Sequence, residues 1–203
     1  MAHAKPDAYP RGRRPAGGLR SAAAGGDRAG RPRPAVESAA VVGPVLITFS
    51  EAGAGEIDAA TPLTVEAVES RFPAATVEKQ TIEGDGVYEQ ITVRREDGLA
   101  LDLMPGGDPA VVGVIRGHGG PVVGPGGEQL GASWAELDFD PAACVRGMET
   151  LSGTLICYRQ GAPQLGYVFD LPNWQGPDDA MPDGAFLESN ARLSAFLWTA
   201  SAA

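Results

Sequence analysis

Ile91-Thr92-Val93-Arg94-Arg95-Glu96-Asp97-Gly98-Leu99-Ala100-Leu101-Asp102-Leu103 decides the fold. Ile91 and Val93 fall on one face of an extended chain, and Thr92 and Arg94 on the other. Asp97-Gly98 is a turn signal, after which Leu99, Leu101 and Leu103 share a face. A period of two on both sides of a tight turn reads as an antiparallel hairpin. Working outward, Val77 and Ile82 bracket an earlier strand, separated by Glu83-Gly84-Asp85-Gly86. Pro105-Gly106-Gly107-Asp108 turns the chain into a Val-rich strand over 110–116. Four strands joined by tight turns predict a meander.

Thr61-Pro62 precedes the meander, the preferred pair for an N-cap and first helical position. Leu63, Val65, Ala67, Val68 and Phe72 form an apolar stripe, and Pro73 ends it, so a helix is predicted over 62–72. The β-branched run before it predicts an edge strand over 45–49, with Pro44 at its start. Downstream, 117–128 is mostly glycine and proline and reads as a linker. A second short helix follows over 130–137, with Leu130, Trp134 and Leu137 on one face. Then Phe139-Asp140-Pro141-Ala142-Ala143-Cys144-Val145 echoes Phe72-Pro73-Ala74-Ala75-Thr76-Val77 with one insertion. Strands over 155–158 and 164–169 match those over 88–95 and 99–104. The pattern predicts an internal duplication, 55–117 and 121–170, with a chance match as the alternative. The predicted class is mainly β (α+β): antiparallel meanders packed in a sandwich-like way, with two short helices, in one domain over 41–203.

Charge is divided unevenly. Residues 1–36 carry eight basic residues against two acids, +6, and the rest carries 8 against 24, −16. Ala, Gly and Pro fill 20 of those first 36 positions. Such a segment buries too little apolar surface to offset its ordering entropy, so 1–40 is expected to be a disordered basic tail. The acidic remainder argues against nucleic acid as a partner. Arg13-Arg14 is followed by Pro15-Ala16-Gly17-Gly18 rather than an apolar run, so it is not read as a twin-arginine signal. No cysteine precedes Cys144 to carry a lipid, so membrane association, which would require such an anchor, is not indicated.

The chain offers little catalytic chemistry. His118 lies between two glycines, in an expected exposed loop, with no G-x-S-x-G motif. Gly119-x4-Gly124 starts like a phosphate-binding loop, but Pro125 stands where lysine is required. Asp138 with Asp140, and Asp178 and Asp179 with Asp183, fit no calcium-loop pattern and read as solvated acids. One usable histidine and two cysteines supply too few ligands for zinc. No metal or cofactor is expected. Cys144 and Cys157 flank the centre of a predicted hairpin, and a symmetric hairpin would oppose them within disulfide reach. Two buried thiols are the alternative. The 21-residue stretch 171–191 reads as a loop longer than most. Its Trp174, Gly176, Pro177, Met181 and Pro182 are candidate contacts for a partner or ligand; the other reading makes Trp174 a plug over a core end or sheet edge.

Four landmarks carry a resemblance: Gly55-Glu56-Ile57-x-Ala59-x-Thr61-Pro62-Leu63, the Cys144…Cys157 pair, Trp174-Gln175-Gly176-Pro177, and Met181-Pro182. A terminal strand ending at Trp198 completes them. Over 46–199 the chain resembles the RpoE-regulated lipoprotein (YfeY-type) family of bacterial envelope proteins, whose biochemical function is unknown. The resemblance implies a compact β-rich domain on the periplasmic side of the envelope and a Cys144–Cys157 disulfide. The chain departs from the family pattern in lacking a signal peptide and a lipid-attachment cysteine. The expected role is non-enzymatic, binding or structural, with an envelope protein as partner. The alternatives are an inhibitor or regulator of an envelope enzyme and, less favoured, a hydrolase using His118.

Overall fold

A computed structural model of the chain describes residues 45–83, 87–177 and 180–201. The basic segment 1–40, the Gly84-Asp85-Gly86 turn, Asp178 and Asp179 lie outside the described residues. In chain order, Ile47–Ser50 (β1) and Gly53–Ala54 (β2) precede the helix Val65–Glu69 (α1). Thr76–Glu83 (β3), Val87–Arg94 (β4), Ala100–Pro105 (β5) and Val112–Gly119 (β6) form the first meander. Val122–Val123 (β7) and the helix Trp134–Leu137 (α2) follow. Cys144–Arg146 (β8), Thr154–Arg159 (β9), Ala162–Asp170 (β10), the helix Gly184–Asn190 (α3) and Arg192–Thr199 (β11) complete the chain.

Eight strands form one antiparallel sheet in the order β3-β4-β5-β6-β11-β10-β9-β8. This is one four-stranded meander followed by a second read backwards, joined where β6 pairs with β11. A short helix precedes each meander. The class is thus mainly β, and the expected layering takes a specific form. The meanders lie edge to edge, and the small sheet β2-β1-β7 is a second layer against them. Phe49 of β1 stacks on Phe196 of β11 with ring centroids 5.4 Å apart. The Trp198 indole donates to the Glu51 carbonyl at 2.9 Å. Gly117 permits this approach, because a Cβ there would stand 2.6 Å from the Phe49 ring. One face of the large sheet carries the core, including Ile91, Val93, Leu101, Leu103, Ile115, Tyr167, Phe169, Phe196 and Trp198. Side chains of that size stabilise by roughly 1.5–3 kcal/mol each when fully buried. The opposite face carries Thr92, Arg94, Asp102 and Arg116 in the first meander and a small apolar group, Ile156, Val168 and Ala195, in the second.

Three expectations shift. The first helix begins after Thr64, whose hydroxyl accepts from Ala67 N at 3.3 Å. Thr61 is engaged elsewhere: its side chain bonds Asp58 and its carbonyl accepts from Val112 N, while Leu63 N donates to the Ala110 carbonyl. This pairing with 110–112 holds 61–63 outside the helix. Second, the described residues form three α-helices rather than two, because α3 forms inside 171–191, capped by Asp183 at Phe186 N (2.8 Å). Third, the linker 117–128 contributes the end of β6 and all of β7, which pairs in parallel with β1.

Candidate functional site

Cys144 and Cys157 are directly opposed on β8 and β9 and form a disulfide, with Cα atoms 4.0 Å apart. Both are buried, and a 3₁₀ turn over Glu149–Leu151 closes the connection between their strands.

The 171–191 segment brings some of its candidate residues together. The Trp174 indole is half-buried, and its ring meets Phe186 of α3 edge-on at 5.1 Å. Its N–H donates to the Pro177 carbonyl at 3.3 Å. Gly176 lies against the indole so closely that any Cβ there would collide with it. Pro182 is buried, whereas Met181 is 39% exposed. Trp174, Gly176 and Pro177 thus form one internally satisfied knot, and Pro177 and Met181 are the residues of the set exposed to water.

His118 sits within β6, half-buried, rather than in an exposed loop. The strand runs three residues further than predicted because Gly117 and Gly119 continue the pairing with β5. His118 Nε2 lies 2.9 Å from one oxygen of Asp102, and Arg94 donates to the other at 3.1 Å. Arg94 also donates to the Val93 and Leu101 carbonyls. Burial pushes the Asp102 carboxyl up, but hydrogen bonds and charge from His118 and Arg94 outweigh it and hold the pKa below the ordinary value. The result is a row of charge across three adjacent strands.

A second constellation has no signal in the sequence. In the glycine-rich loop, Gly124 N donates to the Glu128 carbonyl at 2.9 Å and Gly126 N to the Glu128 carboxylate at 2.8 Å. The loop is therefore closed by its own anion, and the Gly126 amide that a phosphate would need is taken. The other carboxylate oxygen accepts from the Tyr167 hydroxyl at 3.2 Å and lies 3.9 Å from the Arg159 guanidinium. That guanidinium rests over Phe139, 4.3 Å from the ring centroid, and donates to the Leu137 carbonyl. Burial, then the Glu128 charge, raises the Tyr167 phenol to about 12.

The remaining acids have local roles. Asp140 caps the 3₁₀ turn Pro141–Ala143 through Ala142 N, and Asp138 ends α2 in the left-handed conformation at φ 49°. Among the described residues, no group of three His, Cys, Asp or Glu is placed to hold a metal. No described helix is long and apolar enough to cross a membrane. An open cleft of about 710 Å³ lies between the β5–β6 turn and the end of β11, lined by Gly106, Asp108, Val111 and Ser201 among others. It includes none of the predicted contact residues.

With this geometry in hand, residues 44–200 match the family described as "Protein of unknown function (DUF1131)". The chain belongs to this family. No curated protein matches it. Among solved structures it is similar to the uncharacterized protein yfeY from Escherichia coli, with a TM-score of 0.62 and 20% identity. That match covers 76% of this chain and 99% of the other. Identity this low speaks for a shared fold alone, so the likeness to yfeY carries no role over to this DUF1131 member.

Proposed function

We propose that the protein is an exported component of the bacterial cell envelope, of the RpoE-regulated lipoprotein type, acting on the periplasmic side by binding rather than by catalysis. The observation that carries this reading is the Cys144–Cys157 bridge between β8 and β9. Disulfides form and persist in oxidising compartments, and cytosolic thiols are kept reduced. The landmarks shared with the YfeY-type family support the same compartment. The titratable groups support binding over catalysis. Both oxygens of Asp102 are engaged, one by His118 and one by Arg94, and Glu128 is committed to its own loop and to Tyr167.

The test is the intact mass of the protein from its native host after alkylation of free thiols. A processed chain with no alkylated cysteine is the expected result. A full-length chain carrying two alkylated cysteines would overturn the envelope assignment. Turnover in a hydrolase screen that disappears on His118→Ala would overturn the non-enzymatic part.

A further inference from the structure

The large sheet has two edges, and they are treated differently. β8 contributes three residues, flanked by 3₁₀ turns and tied to its neighbour by the disulfide. β3 contributes eight residues in unbroken register with β4, from Thr76 opposite Arg94 to Glu83 opposite Val87. It has no proline and no bulge, and no described strand pairs with its far side. A strand so placed presents a row of unpaired amides and carbonyls, the template for another strand.

The outer half of this edge also lacks support. β5 pairs with β4 only as far as Ile91, opposite Leu103. Beyond that point Gln80–Glu83 and Val87–Gln90 form a ribbon of two strands. Ile82 and Tyr88 face each other across it half-buried, and Val87 is 73% exposed. A two-stranded ribbon is marginal in water, and a third strand supplies what it lacks.

We propose that β3 pairs antiparallel with β3 of a second copy of this chain, across a two-fold axis at Thr81, joining the two large sheets into one. The side chains of the edge select this occupant. A two-fold normal to the sheet keeps each side chain on its own face. Residues of equal parity therefore oppose one another, and centring on Glu78 or Lys79 would set like charges face to face. Centring on Thr81 opposes Thr81 to its own copy, Gln80 to Ile82, and Lys79 to Glu83, the last pair occurring twice. Opposite charges and paired threonines are both favourable in cross-strand positions. Lys79 pairs with Glu89 of β4 at 2.6 Å, on the same face of the ribbon as Thr81 and Glu83. The contact is short compared with a permanent interface, so association depends on concentration.

The experiment is sedimentation equilibrium of the full chain over a wide concentration range, with Lys79→Glu and Glu83→Lys. The natural chain is expected to show a monomer–dimer equilibrium. Each substitution sets two like-charged pairs across the axis and should weaken dimerisation by about tenfold or more. Mixing the two variants pairs lysines with glutamates at both positions and should restore association, which a misfolded variant could not do. A natural chain that stays monomeric throughout, as when another segment of the chain covers the edge, overturns the proposal. So does a dimer indifferent to both substitutions.

Discussion

Tyr167 is 1% exposed, and its hydroxyl bonds a carboxylate that also closes a loop. Ionising it would set a phenolate beside Glu128 in a dry site, which is why its pKa is pushed up to about 12. The unfolded chain loses that proton near 10, so the native state binds it more tightly. The associated stability is present below about pH 10 and is lost as pH rises from there through 12, on the order of 2 kcal/mol in all. Tyrosinate absorbance should show a late phase near pH 12 from Tyr167, distinct from that of Tyr158, which burial also raises, and urea midpoints should fall over that window. In Tyr167→Phe the late phase should disappear. Gly176 gives a second residue-scale prediction. Gly176→Ala forces the Trp174 indole away from Phe186, and overpacking of this kind costs about 1–3 kcal/mol. Trp134 and Trp198 are buried elsewhere in the core. A red shift in tryptophan emission should therefore report Trp174, and an unchanged spectrum would count against the packed knot.

The elements were legible where alternation is strong and partners are near in sequence. Ile91, Val93, Leu101 and Leu103 announced β4 and β5, and the spacing of Cys144 and Cys157 announced their opposition. Other features escaped for physical reasons. Helix α3 has seven residues and buries one of them, Leu187, too few for a 3.6-residue period to emerge. Thr61-Pro62 looked like a helix start, but a strand-like bridge to Val111 captured it. Glu128 and Tyr167 stand 39 positions apart, and nothing local marks either as the other's partner. Of the candidate contact set, sequence pattern could nominate Trp174, Gly176 and Pro177 but could not show that they bond one another. At this scale the disulfide yields a prediction. It closes a 13-residue separation, so reduction should cost about 3 kcal/mol in the loop-entropy account. Urea denaturation with and without reductant measures it, and an unchanged midpoint would contradict the expected contribution.

Across the whole molecule, the strand order has a two-fold pattern that the chain order hides. β3, β4, β5 and β6 have counterparts in β8, β9, β10 and β11, and the recurring Phe-Pro-Ala-Ala motif enters β3 and β8 at matching places. Superposing the two meanders, with their helices, tests the duplication read from sequence. A second whole-molecule prediction concerns the basic segment. The core cluster begins at Ile47, so a chain starting at Val41 should unfold cooperatively at the same temperature as the full chain. A fall of several degrees would show that residues 1–40 contribute to stability.

Among the described strands the two meanders pair through β11, where Phe196–Thr199 pair with Val114–Gly117 on one side while β10 holds the other. In chain order this keystone is the last of the described strands. A chain that emerges amino-terminus first holds the outer edge of β6 unpaired until β11 arrives. Such a waiting edge is a natural hold for a chaperone. Without β11 the large sheet would fall into two half-sheets, each with a raw inner border, and the core would lose Leu193, Phe196 and Trp198.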